Sequence, residues 1–255
     1  MWWLVFAMAC ETPDSETKLQ NGWVKIRGGS FEIGHDGDRR AGPAHSVQVP
    51  TYWIRRTEVT VAEYGACVTA GVCPGDPPGK VPSRCNWAQR ETRGNHPMNC
   101  LSWEMANNYC RWMGARLATE SEWEFAATSR GTLGPFPWGD AKPSCTLAHT
   151  KACEPEITRP ACSLPAGHTQ QGLCDMAGNA YEWTLDAFQD NYADHPNNGG
   201  ATLVASEFRA LRGGGIGSDE PLTVYNRAFH SPDFYYSGMG ARCVYGPSRS
   251  ERRGD

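Results

Sequence analysis

Gly172-Leu-Cys-Asp-Met-Ala-Gly-Asn-Ala-Tyr-Glu-Trp183 is the stretch of this chain that says most about its fold. A helix would be interrupted at Gly178 and Asn179, and the polar residues do not alternate as they do in a half-buried strand. The stretch therefore predicts a tight loop that presents oxygen atoms, including the carboxylates of Asp175 and Glu182. Such oxygen atoms suit a hard cation such as Ca2+, although a structural turn with solvated acids has the same pattern.

The composition is typical of one globular, loop-rich domain. The 255 residues include 28 Gly, 18 Pro and 10 Trp, which favours short elements and aromatic anchors over a helical bundle. The net charge is -4, and basic residues form no run longer than two. We therefore expect no nucleic-acid partner.

The N-terminus resembles the end of a bacterial lipoprotein leader. Residues 1–9 are apolar, and Cys10, the expected lipidation site, precedes acidic and polar residues. We expect a leader over residues 1–9, a polar tether over 10–21, a single domain over 22–246 and a polar tail over 247–255. Two alternatives remain open, namely another type of cleaved signal and an N-terminus that is apolar by chance. Nine residues are too few to span a bilayer, which takes about 20, so membrane contact is expected only through a lipid anchor.

The cysteine content indicates export to an oxidising space, either the cell envelope or the exterior. The chain has 11 Cys and no Cys-x-x-Cys pair, so ten remain if Cys10 carries lipid. Eight of them fall into two groups of four, within which we expect disulfides of unspecified connectivity. The groups are Cys67, Cys73, Cys85 and Cys100, and Cys145, Cys153, Cys162 and Cys174.

Local patterns predict a few regular elements. Apolar and polar residues alternate over residues 22–60, as in half-buried strands. Thr60 and Thr119 each precede a Glu by three residues, which predicts capped helices starting there, the first running to residue 70. A further helix is expected over residues 102–113. Residues 131–210 are predicted to be mostly loop. Short strands are predicted after them, near residues 210–212, 227–229 and 240–244.

The opening stretch resembles the signature loop of the formylglycine-generating enzyme family, the sulfatase-modifying-factor domain. Six further segments resemble motifs of that family in the expected order. They are residues 23–34, 52–60, 96–125, 136–140, 211–215 and 240–243. The resemblance covers about residues 22–245. It implies a mixed α/β (α+β), C-type-lectin-like fold with little regular secondary structure.

The resemblance also implies a calcium site and a disulfide. By position, the ion would be bound by the Asp175 side chain, the backbone oxygens of Gly178 and Ala180, and the Glu182 carboxylate. The family's pairing of a helix Cys with the C-terminal Cys implies a disulfide between Cys110 and Cys243. A second ion site of the family is not expected, because a His, a poor Ca2+ ligand, stands where the family has Asn.

The family's oxidase activity depends on two copper-binding cysteines. The matching positions here are Ser218 and Thr223, and no Cys occurs between Cys174 and Cys243. A hydroxyl cannot replace a thiolate as a ligand for Cu(I) or in its redox chemistry. The sequence therefore predicts neither copper nor formylglycine-generating activity.

Three functions remain as hypotheses. The first is an exported, lipid-anchored binding module for a protein, peptide or glycan, which would use the aromatic segment 229–239 as its contact surface unless those aromatics are core. The second is an enzyme with altered, metal-dependent chemistry in the same groove, where the candidate residues are Ser218, Asp219, Glu220, His230 and Tyr235. The third is a structural or assembly protein of the cell envelope.

Overall fold

The computed structural model describes residues 22–76, 83–218 and 222–246. The expected leader, tether, lipidation site Cys10 and polar tail lie outside the described residues, as do the candidates Asp219 and Glu220. The described part contains ten strands and three α-helices. The strands are β1 (Trp23–Ile26), β2 (Gly29–Ile33), β3 (His45–Val49), β4 (Tyr52–Arg55), β5 (Arg116–Leu117), β6 (Tyr181–Ala187), β7 (Arg209–Arg212), β8 (Ala228–His230), β9 (Met239–Ala241) and β10 (Cys243–Tyr245), and the helices are α1 (Val61–Thr69), α2 (Trp103–Trp112) and α3 (Glu120–Ala127).

The strands form three small sheets. One has the order β1-β4-β10-β5 with antiparallel neighbours throughout, and β2 and β3 form an antiparallel pair of their own. The third has the order β8-β7-β6-β9 and is antiparallel except between β6 and β9. The expectation of a mixed α/β, loop-rich fold is confirmed.

The alternating pattern at the start of the chain is confirmed as strands with one buried face. In β2 the side chains of Phe31 and Ile33 are buried and alternate with exposed neighbours. In β3 the side chains of Val47 and Val49 are buried in the same alternating pattern. These side chains pack with Trp123 and its neighbours on α3 in one of two main core clusters. The second cluster lies between α1, α2, β6 and β9.

The helix starts are where the sequence predicts them. Thr60 Oγ1 accepts a hydrogen bond from Glu63 N, and the Glu63 carboxylate accepts one from Thr60 N at 2.9 Å. Thr119 and Glu122 make the same reciprocal pair at the start of α3. Ser102 caps α2 through Met105 N. Each cap satisfies backbone donors that a helix leaves unpaired, an effect of about 1 kcal/mol.

Two expectations about strands were wrong. The signature stretch is a loop only as far as Ala180, because Tyr181 begins β6, the longest strand and an inner strand of its sheet. Nearly all of β6 is buried on both faces, so it lacks the alternation by which half-buried strands are recognised. The strand expected over 240–244 is two strands in different sheets, separated at Arg242.

Five disulfides fasten the described residues. The implied bond between Cys110 and Cys243 is present and joins α2 to β10. The other eight cysteines pair within their two groups, as expected. These pairs are Cys67–Cys73, Cys85–Cys100, Cys145–Cys153 and Cys162–Cys174. None of the helices in the described ranges has the length and apolar content needed to cross a membrane.

Candidate functional site

The signature stretch turns sharply before it enters β6. Asp175, Gly178 and Asn179 have φ angles of 54°, 84° and 63°, in the left-handed region. A side chain at Gly178 is excluded by space as well, because its Cβ would lie 2.6 Å from the backbone oxygen of His149. Backbone hydrogen bonds from Asn179 N to His149 O (2.7 Å) and from Gly178 N to Gly213 O (2.8 Å) hold the turn in place.

Glu182, the last residue of the implied calcium set, is fully buried and paired with Arg242. Arg242 donates to both carboxylate oxygens at 2.6–3.0 Å, and Trp123 Nε1 donates to Oε2 at 2.7 Å. The same guanidinium also donates to backbone oxygens of Arg55, Arg56 and Cys174. The break between β9 and β10 thus places a cation beneath the signature stretch, and Glu182 would have to exchange a hydrogen bond to ligate a metal ion.

A third carboxyl group, Glu58, lies beside Asp175 and was missed by the sequence analysis. Glu58 is fully buried, and its Oε1 accepts a hydrogen bond from Asn179 Nδ2 at 3.0 Å. Its Oε2 has no hydrogen-bond donor among the described residues. Burial, followed by the charge of Asp175, raises the pKa of Glu58 well above its ordinary value. Asp175 is itself held by Cys162 N, which donates to Oδ2 at 2.7 Å, while burial raises its pKa.

We call Glu58, Asp175, Glu182 and Arg242 the acidic cluster. It contains three carboxyl groups and one guanidinium, so its negative charge exceeds its positive charge if all are ionised. Buried excess charge requires either a proton shared between carboxyl groups or a bound cation. The unpaired oxygen of Glu58 and the carboxylate of Asp175 are hard donors of the type that Ca2+ prefers, so this side of the cluster fits the implied ion.

A different group of metal-type side chains does not offer a comparable site. Cys162, His168 and Cys174 have potential ligand atoms within 4.8 Å of one another. The two sulfur atoms are joined in a disulfide, and they are therefore not thiolate ligands. His149 stands where the family has an Asn. Its Nε2 donates a hydrogen bond to the backbone oxygen of Ile157 at 2.8 Å, and its Nδ1 accepts one from Arg159 Nε.

The two positions that match the family's copper-binding cysteines carry no sulfur. Ser218 and Thr223 are both buried, and the Ser218 hydroxyl accepts a hydrogen bond from Gly215 N at 2.8 Å. Every one of the ten described cysteines is in a disulfide, so no free thiol exists among the described residues. Ser218 lines a cavity of about 480 Å3 with Leu222 and the Cys145–Cys153 disulfide. We call it the disulfide cavity.

The aromatic segment forms a second cavity, of about 350 Å3, on the sheet that contains β6. His230 stacks on Phe234 with ring centroids 3.8 Å apart, and Phe234 is 39% exposed. Met239, expected at the surface, is core and forms the floor, because β9 pairs with β6. We call this site the aromatic cavity, and its main lining residues are Tyr181, Phe229, His230, Phe234, Tyr236 and Met239.

Both cavities adjoin the loop of residues 213–218, the disulfide cavity through Ser218. The ring of Tyr236 would contact a Cβ on Gly217 at 3.4 Å, so the aromatic cavity adjoins this loop. Ser218 and His230, both considered as groove residues from the sequence, line different cavities. Burial lowers the pKa of His230, which favours its neutral form.

A second buried set of charged groups, the α3 network, is not among the lining residues of either cavity. Glu120 accepts hydrogen bonds from Arg212 Nη1 at 3.1 Å and from Arg227 at 2.8 Å, while Glu124 pairs with Arg212. Asp186 accepts from Glu120 N at 2.9 Å and from Thr202 N at 2.8 Å. These side chains tie α3 to β6, β7 and the segment before β8.

Comparisons with known proteins find the same family that the sequence motifs resemble. The model of the sulfatase-modifying factor enzyme 1-like domain matches residues 9–246. The formylglycine-generating enzyme of Streptomyces coelicolor is 30% identical over 298 aligned positions, covering 91% of each chain. The hercynine oxygenase of Mycolicibacterium smegmatis is 29% identical over 75% of this chain and 53% of its own length. The solved structure of PvdO from Pseudomonas aeruginosa has a TM-score of 0.75 at 26% identity, covering 88% of this chain and 93% of PvdO.

Proposed function

Because this chain belongs to the sulfatase-modifying factor enzyme 1-like domain family, we propose that it is an exported, calcium-stabilised binding module without formylglycine-generating activity. The observation that carries this proposal is the replacement of the copper-binding pair by Ser218 and Thr223. Because all ten described cysteines are in disulfides, no other described thiol takes their place. The described residues keep the fold of the family, which favours a retained groove with a different use.

The aromatic cavity is the proposed contact site for a protein, peptide or glycan. Ring faces pack well against the apolar faces of sugars and against aliphatic side chains, and the imidazole of His230 and hydroxyl of Tyr236 add hydrogen-bonding groups. Phe234 stands at its exposed edge, and aromatic residues in such places often contribute most of a binding energy.

Calcium at the signature stretch is the stabilising part of the proposal. Its ligands would be the carboxylates of Asp175 and Glu182 and the backbone oxygens of Gly178 and Ala180, with the unpaired oxygen of Glu58 as further support. A bound ion would supply a fixed positive charge to the acidic cluster and add a further link to a turn that Asp175 and Asn179 already hold through side-chain hydrogen bonds.

Export and lipid anchoring complete the proposal. Five disulfides within the described residues are typical of proteins that mature in an oxidising space, which supports export. Lipidation of Cys10 would tether the domain to the cell envelope through residues 11–21. Mass spectrometry of the mature protein tests this directly, because a lipidated N-terminal Cys10 would replace the unmodified start of the chain.

A second candidate, an enzyme with altered chemistry in the groove, has one specific observation in its favour. Hercynine oxygenase, a relative at 29% identity, is named for an oxygenase reaction, so oxidase-type chemistry is compatible with this family. The chain spans about half the length of that relative, and the activity of the whole enzyme does not follow from the match.

The oxidase part is tested by incubating the full chain, made in an oxidising compartment, with copper, oxygen and a cysteine peptide. We expect no formylglycine by mass spectrometry. The variant Ser218→Cys/Thr223→Cys, which restores the sulfur positions, serves as the comparison. Formylglycine formation by the unaltered chain at more than a trace rate would contradict the proposal.

The binding part is tested on immobilised glycan and peptide libraries. We expect ligands retained by the unaltered chain to lose at least about tenfold in affinity with Phe234→Ala, since a truncated anchor costs above about 1.4 kcal/mol. Tyr245→Ala is the matched control, because Tyr245 is an aromatic 59% exposed on another sheet. Equal losses for both variants, or turnover of a library member, would overturn the assignment.

A further inference from the structure

The Cys145–Cys153 disulfide differs from the other four in its exposure. Cys145 is the exposed member of the ten described cysteines, whereas Cys153 is only 3% exposed. The bond spans eight residues of sequence, and a second short bond, Cys67–Cys73, spans six with both cysteines buried. Exposure therefore separates these two bonds, while the lengths of the loops that they close are similar.

The exposed bond lies on the wall of the disulfide cavity. Both of its cysteines line that cavity, together with Ser218 and Leu222. A volume of about 480 Å3 is large enough for a molecule of the size of a small peptide side chain or a low-mass thiol. A nucleophile that enters from solvent has better access to Cys145, which is exposed, than to Cys153, which is 3% exposed.

The surroundings of Cys153 suit a reduced sulfur as well as an oxidised one. The backbone oxygen of Ala148 lies 3.6 Å from Cys153 Sγ and can accept a hydrogen bond from a thiol. The hydroxyl of Thr150 lies 3.9 Å from the same sulfur and can donate to a thiolate. Partners for a leaving Cys153 are thus in place before the bond opens.

The loop that carries this disulfide is fastened by other contacts. His149 binds the backbone oxygen of Ile157 through its ring and accepts from Asn179 N through its backbone oxygen. Ala148 N donates to Ser144 O at 2.9 Å within the same loop. Opening the bond therefore leaves the loop attached to the rest of the domain.

From these observations we infer that Cys145–Cys153 is a thiol-exchange site that captures a thiol-bearing molecule in the disulfide cavity. The thiolate attacks Cys145 Sγ, the Cys145–Cys153 bond breaks, and a mixed disulfide forms between Cys145 and the incoming sulfur. Cys153 leaves as a thiolate and takes a proton from water. One disulfide replaces another, so the step needs no oxidant and is reversed when the Cys153 thiolate attacks Cys145.

This site is separate from the aromatic cavity. The exchange could occur whether or not Phe234 binds a ligand, since its groups line a different cavity. Its failure in the experiment below would leave the binding proposal untouched, and the reverse holds as well.

The test uses the full chain, oxidised and folded, with reduced glutathione as the probe. After timed exposure, free thiols are alkylated and mapped by mass spectrometry while near-UV circular dichroism follows tertiary structure. We expect Cys145–Cys153 to open at least tenfold faster than Cys67–Cys73, with glutathione on Cys145 and the dichroism unchanged. Equal rates for the two bonds, glutathione on Cys153, or opening only with loss of dichroism would each overturn the inference.

Two variants test which sulfur is attacked without relying on the rates of opening. The variant Cys153→Ser leaves the exposed Cys145 as a free thiol. The variant Cys145→Ser leaves the buried Cys153 as a free thiol. With oxidised glutathione, we expect the first variant to form the mixed disulfide at least tenfold faster than the second. Equal rates, or a faster reaction at Cys153, would contradict attack at Cys145.

Discussion

The α3 network and the acidic cluster are both largely buried, with Asp175 the half-buried member of the second, yet they differ in how fully their carboxyl groups are paired. In the α3 network three carboxyl groups, those of Glu120, Glu124 and Asp186, face two guanidinium groups, and each carboxylate oxygen accepts a hydrogen bond. Its unpaired atom is a donor, Nε of Arg212. In the acidic cluster three carboxyl groups share one guanidinium, and the unpaired atom is an acceptor, Oε2 of Glu58.

This difference indicates which cluster is structural and which is open to a ligand. A network in which every carboxylate oxygen already accepts a hydrogen bond is complete without additions. A cluster with excess acid and an unpaired oxygen is satisfied by a proton or by a metal ion. The sequence motif and the unpaired oxygen therefore identify the same place, the turn around Asp175, as the proposed calcium site.

The largest expected effect comes from removing a cation from the α3 network. Arg212→Met would leave Glu120 and Glu124 buried with one fewer partner, so we expect the free energy of unfolding to fall by about 3–5 kcal/mol. Arg84→Met is the matched control, because Arg84 forms an exposed pair with Glu156 that is worth about 1 kcal/mol or less. Denaturant unfolding measures both, and a loss below about 1 kcal/mol for Arg212→Met would show that the network is not structural.

A pH dependence is expected from His195, a buried side chain beside the α3 network, whose Nε2 lies 3.4 Å from the hydroxyl of Ser121 on α3. Burial lowers the pKa of His195 to about 4, although the charge of Glu120 opposes this, and His45, Arg227 and Arg212 lower it further. The unfolded chain binds a proton at His195 below about pH 6.5, whereas the folded chain does so only near pH 4. Stability supplied by His195 is therefore present above pH 6.5 and is lost as the pH falls, by about 2 kcal/mol between pH 7 and 5.

A comparison with His195→Gln isolates that contribution. Burial, followed by the charge of Glu120, raises the pKa of Asp186 to about 7, so Asp186 favours the folded state as the pH falls below 7 and offsets the His195 loss, by about 2 kcal/mol between pH 7 and 5. Both proteins contain Asp186, so the difference between their unfolding free energies reports on His195. We expect this difference to shrink toward pH 5, and a constant difference would contradict the assignment.

The smallest effect is expected in the acidic cluster when no metal is present. Glu58→Gln replaces a carboxyl group with a raised pKa by a neutral amide of the same shape, so with chelator we expect a change within about 1 kcal/mol. With added calcium, the loss of a charged oxygen should lower the apparent affinity by about tenfold. Calorimetric titration of both proteins measures this, and an unchanged affinity would place the ion away from Glu58.

The sequence was most informative where a pattern is local. The caps at Thr60 and Thr119 depend on residues three apart, and both were predicted from that spacing. Pairing of Cys110 with Cys243 came from family resemblance, since 133 residues separate them. Where partners are distant and no motif marks them, prediction failed. Glu58 meets Asn179 across 121 residues, and only the folded chain shows that its second oxygen is unpaired.

Some features could not be predicted because burial hides the pattern. The strand β6 has buried residues on both faces. Its sequence therefore shows no alternation of apolar and polar residues and predicts a loop instead of a strand. The sequence predicts Met239 at a contact surface and Arg242 within one strand. Both are buried because β9 and β10 join different sheets. Such placements depend on tertiary pairing, which a single sequence does not specify.

The most direct test of the account is the metal content of the folded chain, measured by inductively coupled plasma mass spectrometry beside Asp175→Ala. We expect about one calcium per chain in the unaltered protein, no stoichiometric copper or iron, and loss of calcium in the variant. Chelator should lower the melting temperature of the unaltered protein, because an ion that binds only the folded state stabilises it, by about 2.7 kcal/mol at 100 times its Kd. Stoichiometric copper or iron, or a chain that binds no calcium, would contradict the account.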